Sequence, residues 1–516
     1  MDTDVIVVGA GPTGLMLACE LALAGVRALV VERRTEPQRD SRALTLHPRS
    51  IELMDQRGLS DRFLALGRTV PGWHFAGLDT RLDFAPLDTR HGYTLFLAQA
   101  RTEAVLAARA HELGVEVRRG REGVGLRQDA DGVELDVRGP EGVETVRAAY
   151  AVGCDGGRSF VRRAAGIEFP GTDETLTGIL GDFAVADAGG AERARQHGVL
   201  AVPLAGGLTR FVVVDPERMR TPSGEPVTLE EFRACLVRVC GSDCGVDGPR
   251  WLSRFGNATR LAARYRSGRV LLAGDAAHVH FPAAGQGLNT GLQDAVNLGW
   301  KLAAEIRGRA PAGLLDTYHR ERHPVGRAVT ENTEVQTLLM ELTLVAPYQR
   351  PVAALRKLLD GLLGIGEVNR RLAGEVSALD IAYPTTAGAD ADPLVGARMP
   401  DIALSVAGSG VRRAYELLHE GRFVLLALDG EDHAGAGGAP EWADRVTAVT
   451  AVTTTATGAG HPRLDGVTEV LVRPDGHIAW ASRTAGAAAR GSGRSAALTA
   501  WAGAPGRASG AAVAVA

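Results

Sequence analysis

The sequence predicts an α/β protein: a parallel-sheet nucleotide-binding unit interleaved along the chain with a second sheet unit, then a smaller C-terminal unit. Three observations predict this. An apolar strand over residues 4–8 runs into the turn GAGPTG (9–14) and an apolar helix, and Glu32 closes a second apolar strand at 28–31. Apolar strand patterns ending in glycine turns return at 151–155 and 269–273, with alternating strands between them. A Pro/Gly/Asp/Thr-rich break at 383–393 then separates the rest.

The first motif is a dinucleotide fingerprint in its full strand–turn–helix–acid context. Gly9 permits the tight turn, Gly11 lets a diphosphate approach the backbone, and Gly14 lets helix and strand pack closely. The helix N-terminus offers unpaired N–H groups and about half a positive charge. Glu32 suits ribose hydroxyls and disfavours a 2′-phosphate, so the tightly held ligand is expected to be FAD or NAD, not NADP.

Further along, residues 49–56 and 101–113 read as helices and 115–118 as a strand. Short strand-like pieces with aromatics fall between 73 and 96. Segments 133–137 and 143–150 alternate as a surface meander, and 178–187 and 199–215 form a second strand-rich block followed by a helix at 229–240. A long helix is expected from Gly287 to about 307, and helical patterns continue to about 379. Beyond the linker, the sequence predicts a helix at 412–419, a buried strand at 423–428, a hairpin pairing 467–471 with 477–480, and a short helix at 496–502. The final dozen residues, rich in Ala and Gly, are expected to be disordered.

Size and composition set outer limits. At 516 residues and 45% hydrophobic content, the chain can bury about three cores. A net charge of −4, from 57 basic and 61 acidic residues, gives no electrostatic case for nucleic acid or an anionic membrane. The cysteines, Cys19, Cys154, Cys235, Cys240 and Cys244, form no C-x-x-C pair. They read as reduced thiols in a cytoplasm, and Cys240 with Cys244 lacks further ligands for zinc. Met1 leads almost directly into the first strand, so neither a signal peptide nor a membrane span is expected. His278 and His280 without carboxylate or thiol company do not make a metal site.

Three more stretches carry a family likeness: GCDGGRSFVR (153–162), GDAAH (274–278) and PAAGQGLNTGLQDAVNLGWKL (282–302). Together with the fingerprint they resemble the flavin monooxygenases of the para-hydroxybenzoate hydroxylase type. Within that group the likeness is strongest to aromatic polyketide hydroxylases and rifampicin monooxygenase, and it covers nearly the whole chain. The resemblance implies a Rossmann-like FAD-binding domain (1–70, 98–176 and 265–385), a substrate-binding sheet domain (71–97 and 177–264), a thioredoxin-like domain lacking C-x-x-C (399–503) and a tail (504–516). The hairpin VLVRPDGHIAW (470–480) carries the last likeness. No cysteine follows Cys244, which excludes thiol–disulfide exchange there.

The resemblance also implies roles. Gly9, Gly11, Pro12, Thr13, Gly14, Glu32 and Arg33 would hold the adenosine and diphosphate of FAD. Asp155, Gly156 and Arg158 would serve both FAD and a visiting nicotinamide cofactor. Gly274 and Asp275 would meet the ribityl chain. Gly285, Gly287, Leu288 and Asn289 would meet the isoalloxazine, with Pro282 over its reacting face and Arg42 and Gln99 beside it. Asp294 and Asn297 read as helix-fixing residues. Arg42 and Arg210 are candidates for charge stabilisation near flavin or substrate, and Trp73, Phe75, Phe84, Tyr93, Phe96, Phe211 and Phe281 for pocket walls, with two or three of them facing substrate.

No second complete G-x-G-x-x-G unit exists; the glycine run at 435–438 lacks a following helix. NADPH or NADH is therefore expected to bind transiently, with FAD tightly and non-covalently held. The implied reaction is hydroxylation of a polycyclic aromatic substrate by dioxygen through a flavin hydroperoxide. A base for a substrate phenol is not identifiable in the sequence. Baeyer–Villiger insertion, rifamycin-type antibiotic inactivation and a flavin-binding module without turnover are the alternatives. The F-x-G-x-x-x-H signature of one Baeyer–Villiger class is missing, since Phe75 and Gly77 lead to Arg81. A homodimer is compatible with the sequence.

Overall fold

The computed structural model describes residues 1–38, 40–185, 187, 189–385, 392–406, 410–428, 439–454 and 461–506. At its centre, strand Val5–Val8 pairs in parallel with Ala28–Glu32 on one side and Tyr150–Gly153 on the other. Glu116–Arg119 extends one edge. Val270–Leu272 and the antiparallel Arg266–Ser267 extend the other. The inner strands are buried on both faces, which is why they read as unbroken apolar runs rather than alternating ones. Because the chain leaves Val5–Val8 in one direction and returns on its other side, the carboxyl ends of these strands flank a topological switch point, where ligands bind in open parallel sheets.

Helix Pro12–Leu23 packs along the long helix Gln286–Ile306 over this sheet. The approach is close: a Cβ on Gly299 would stand 2.5 Å from Glu20 Cβ. An antiparallel meander (Glu122–Gln128, Val133–Gly139, Gly142–Ala148) lies beside the parallel sheet. The second sheet is antiparallel, in the order Leu200–Pro203, Leu208–Val213, Thr177–Val185, Val246–Gly256. Helix Leu229–Cys240 seals one face through Phe232 and Leu236 against Phe183 and Phe211. That helix begins where the Thr228 hydroxyl accepts from Glu231 N at 3.1 Å and ends at Gly241, which takes φ +70°.

The C-terminal sheet runs Gly410–Arg413, Ala403–Val406, Val446–Thr454, Phe423–Ala427, Glu469–Val472, Ile478–Ser482, with helix Ala487–Ala502 against it. Three sequence expectations change here. The helix expected at 412–419 is instead an edge strand, Gly410–Arg413, and one tight turn, Ala414–Leu418. The cause is tertiary: Arg413 reaches Asp55 and Asp401 at 2.7 Å each, and Asp401 accepts from Tyr415 N. Strand Val446–Thr454 was not expected, because its repeating V-T-A pattern lacks period-2 alternation. The last helix starts nine residues earlier than the sequence suggested, at Ala487 rather than 496. Residues 435–438 and the last ten of the expected tail lie outside the described residues.

The C-terminal unit is fastened to the nucleotide side by the turn at 473–476. Arg473 is buried and donates to both oxygens of Glu321 at 2.8 Å. Lys301 Nζ lies 2.6 Å from the same carboxylate, and Asn297 Nδ2 donates to Glu321 at 2.7 Å and Asp475 at 3.1 Å. Two cations thus face two carboxylates out of water. Burial pushes the Lys301 ammonium down to about 8. Burial also works against the Glu321 anion, but Arg473 and Lys301 hold its carboxyl at about 2. Breaking such a set leaves an unpaired buried charge. Glu321→Leu is therefore expected to cost about 3–5 kcal/mol of unfolding free energy in a denaturant titration, and a loss under about 1 kcal/mol would contradict this account.

Candidate active site

A cleft of about 2590 Å³ opens between the carboxyl edge of the parallel sheet and the second sheet. That is well above the roughly 300–1,000 Å³ of a single small-ligand pocket, so it has room for a dinucleotide and a second molecule. Gly9, Gly11, Pro12, Thr13, Glu32, Arg33, Arg42, Gln99, Asp155, Gly156, Arg158, Asp275, Pro282, Gly285, Gly287 and Leu288 all line it, as does Arg210. Gly14, Gly274 and Asn289 stand behind the wall. A Cβ on Gly14 would lie 2.0 Å from Gly9 O, and one on Gly274, at φ +62°, 2.7 Å from Thr13 Oγ1.

The nucleotide half is built for anions and hydroxyls. Helix Pro12–Leu23 begins at Gly11 with no side-chain cap and no acid in its first turn, so its N–H groups and dipole face the cleft uncompensated. A Cβ on Gly11 would meet nothing within 4 Å: the space a ligand needs is open. The Glu32 oxygens each accept one backbone N–H, from Ala10 at 2.8 Å and Arg34 at 2.9 Å. The carboxylate is thereby oriented while keeping lone pairs for a ribose. Asp155 is differently occupied. It takes the Ser159 hydroxyl at 2.5 Å and the N–H groups of Phe160 and Val161 at 2.6 and 3.1 Å, and so shapes the 156–158 turn. Gln99 bridges Ala43 N and Glu103.

Asp275 makes no hydrogen bond among the described residues, although its carboxyl opens into the cleft. Desolvation by the surrounding walls raises its pKa above the ordinary carboxylate value, with His278 and Arg42 partly opposing. An unpartnered carboxylate in that position suits a ligand hydroxyl.

The loop before the long helix is held under strain. Ala284 takes φ +52° and Gly285 φ +70°. His47 Nε2 lies 2.7 Å from Ala284 O. Asn289 Oδ1 accepts from His47 N at 2.7 Å, and its Nδ2 donates to Gly285 O and Thr45 O. Burial lowers the His47 pKa to about 4, so the ring is neutral and can donate from Nε2. Nothing in the local sequence marks His47. Asp294 and Asn297 sit deeper, in the hydrogen bonds that fix the helix.

Arg42 and Arg210 differ. Arg210 is buried and bidentate to Asp182 at 2.7 and 2.8 Å, a carboxylate that Trp251 Nε1 also reaches. Its charge is matched, and its Nη1 donates to Arg42 O at 3.2 Å. Arg42 is exposed to the cleft, touches Ser253 Oγ at 3.3 Å, and forms no ion pair among the described residues. Of the candidate aromatics, Trp73, Phe96 and Phe281 line the cleft. Phe75 and Phe84 cluster with Leu339, Val352 and Leu363, Phe211 lies in the second sheet's core, and Tyr93 bonds His91. The end of helix Thr317–Glu341 also contributes wall residues: Thr337, Met340, Glu341 and, just beyond it, Leu344. Their helical stretch carries no sequence signal for this. Among the described residues no cluster could hold a metal ion, and no helix is long and apolar enough to cross a membrane.

A parallel sheet with an uncapped glycine turn, an acid oriented beside it and a second uncapped helix over one cleft is the arrangement of a dinucleotide-binding fold. The chain belongs to the FAD-dependent aromatic-ring hydroxylases. Residues 2–333 match the FAD binding domain family and 392–505 the aromatic-ring hydroxylase C-terminal family. The chain is 49% identical over 487 residues to a rifampicin monooxygenase of Streptomyces venezuelae, covering 93% of this chain and 95% of that one. It is 48% identical over 493 residues to a 12-dehydrotetracycline 5-monooxygenase/anhydrotetracycline 6-monooxygenase of Streptomyces rimosus, with 93% and 95% covered. The solved structure of an anhydrotetracycline hydroxylase from Streptomyces rimosus has a TM-score of 0.87 at 45% identity, covering 98% of this chain and 100% of that one.

Two outcomes are expected. Gly9 has φ +108° and a Cβ there would stand 2.4 Å from Cys154 O. Gly9→Ala should weaken FAD retention by roughly tenfold or more, read as flavin absorbance per protein after gel filtration. His47 is buried and His280 half-buried at the cleft wall, with pKa values lowered from 6.5 to about 4, in each case chiefly by desolvation. In the unfolded chain they bind protons at higher pH than in the native state. Their contribution to stability is therefore complete above about pH 6.5 and is lost as pH falls from there towards 4. Melting temperatures should decline across that window, and His47→Gln should flatten the decline.

Proposed function

We propose that this protein is an NAD(P)H-using, FAD-dependent monooxygenase that hydroxylates a polycyclic aromatic, polyketide-type substrate. The observation that carries the reading is the two-part cleft. One end offers backbone N–H groups, Glu32 and Asp275, and the other is walled by Trp73, Phe96, Phe281, Val212, Leu252 and Met340. The tetracycline-type and rifampicin-oxygenating relatives support the same substrate class.

When bound, FAD would accept a hydride from NAD(P)H and activate dioxygen for transfer of one oxygen atom to an electron-rich ring. The chain's own groups do the rest. Gly11, Thr13 and the first helix N-terminus would neutralise the diphosphate, and Glu32 and Arg33 would take the adenosine side. Asp275 would accept from a ribityl hydroxyl. N–H groups at Gly287 and Leu288, at an N-terminus with no acid in its first turn, would stabilise negative charge on the ring system. Arg42, which forms no ion pair among the described residues, sits at the junction, and Arg210 holds its backbone. Pro282 and Phe281 would exclude water from the reacting face. Arg158, at the cleft wall, would meet the phosphates of the visiting reductant.

The three-unit division follows the same reading: FAD domain, substrate sheet and a thioredoxin-like C-terminal unit. The last is suggested by a parallel strand pair, Phe423–Ala427 with Val446–Thr454, continued by an antiparallel hairpin and a helix. Without cysteines its role is structural.

Holoenzyme supplied with NADPH or NADH, isotopically labelled dioxygen and either anhydrotetracycline or rifampicin is the test. One labelled oxygen atom in the product, with reductant consumption accelerated by the aromatic compound, is expected. Ring-expanded product would indicate Baeyer–Villiger insertion, and reductant oxidised only to peroxide with every aromatic tried would overturn the proposal.

A further inference from the structure

An electrophilic oxygen attacks a phenolate faster than a phenol, so the cleft needs an acceptor for a substrate proton close to the apolar wall. Most carboxylates of the cleft are committed elsewhere. Glu32 and Asp155 bind backbone N–H groups, and Asp275 belongs to the nucleotide half. Glu341 is different. It ends helix Thr317–Glu341, and its neighbours Met340 and Leu344 pack with Leu176, Phe281 and Ala283, the segment carrying Pro282.

One oxygen of Glu341 is fixed by an unambiguous donor. Asn257 Oδ1 accepts from both Thr175 N at 2.8 Å and Leu176 N at 2.9 Å, so that atom must be the amide oxygen. Its Nδ2 therefore donates, to Thr175 Oγ1 at 3.0 Å and to Glu341 Oε1. The other oxygen, Oε2, has no partner among the described residues, and Glu341 lines the cleft. No cation pairs with it there. Arg254 is taken by Glu231 and Arg260 by Asp173, while Glu174 accepts from Ser223 N.

We propose that Glu341, oriented by Asn257, receives the phenol or enol hydroxyl of the substrate at Oε2 and accepts its proton. This rests on the monooxygenase reading above. The substrate O–H bond breaks, an Oε2–H bond forms, and the electron pair remains on the phenolate oxygen. The proton passes to solvent when the cleft opens to product. Desolvation in this apolar setting raises the Glu341 pKa, with the Asn257 bond opposing, which makes the carboxylate a better proton acceptor.

The variant Glu341→Gln isolates the effect. A Gln Oε1 still accepts from Asn257, while the cleft-facing atom changes from acceptor to donor. The probe is alizarin, a polycyclic phenol whose anion absorbs to the red of both its neutral form and flavin, titrated into holoenzyme in buffer that keeps the free dye neutral. Wild type is expected to bind it saturably as the anion. E341Q, with unchanged flavin content and melting temperature, should bind it as the neutral dye and at least about tenfold more weakly. Both proteins should bind alizarin dimethyl ether equally. An anion band of equal size in E341Q, equal losses for dye and ether, or no saturable dye binding by wild type would overturn the proposal. Wild type that binds the anion yet oxygenates nothing would sink the monooxygenase reading while leaving this one standing.

Discussion

The long helix Gln286–Ile306 is set in place by buried charge, and the cleft depends on that setting. Asp294, fully buried, accepts from Gly274 N at 3.1 Å and His278 Nε2 at 2.8 Å on one oxygen, and from Arg322 Nε at 2.7 Å on the other. Arg322 also donates to Thr290 O and the Tyr383 hydroxyl. One and two turns further on, Asn297 and Lys301 engage Glu321. A charge removed from water tolerates little displacement of its partners, because each lost hydrogen bond exposes a desolvation cost of several kcal/mol. The helix is thereby pinned in height and rotation, and its uncapped N-terminus is delivered to the cleft beside Asp275.

With that terminus fixed, the two halves of the cleft differ in how they provide polarity. In the nucleotide half it comes mostly from the backbone: helix N–H groups and strained turns, with side chains such as Glu32 held by N–H donors. Such dipoles stabilise charge without reorganising. In the apolar half polarity is sparse and directional. Arg210, matched by Asp182, contributes stiffness to the segment bearing Arg42. Asn257, locked by two N–H groups, contributes direction to Glu341.

The parts of the molecule legible in the sequence are those with a local physical signature. Gly9 and Gly14 are readable because backbone approach leaves no alternative to glycine, and Gly11 because it completes their spacing. The strands around them are readable because burial on both faces demands unbroken apolar runs. Helix 229–240 was legible end to end, and the Thr228 cap and Gly241 stop seen in the structure account for its bounds. What was not legible depends on partners distant in sequence. The segment 412–419 has helical composition, yet Asp55 draws Arg413 away from it across the whole chain. His47 acts through Ala284 and Asn289, and Glu341 gains its character from Asn257 and from walls contributed by Leu176, Phe281 and Ala283. Arg210 was legible as a residue near the cleft. Its pairing with Asp182 required the strand register that sets the two opposite each other.

The same logic assigns weight to the C-terminal unit. Its turn at 473–476 does not merely touch the nucleotide side; it completes it. Arg49 and Arg57 on the first unit donate to Asp475 O and Pro474 O at 2.8 Å, and Arg57 is itself held by Glu20 on helix Pro12–Leu23. Gly476 takes φ +78°, and a Cβ there would lie 2.5 Å from Gln56 Nε2, so the turn fits only as glycine. Without this turn, Glu321 and Lys301 would lose Arg473 and Asp475, and both Pro12–Leu23 and Gln286–Ile306 would lose a fixing point. Those two helices present the N-termini that face the cleft. A unit with no cysteine, and none of whose described residues walls the cleft, is thus tied by hydrogen bonds to both ends of the proposed cofactor platform.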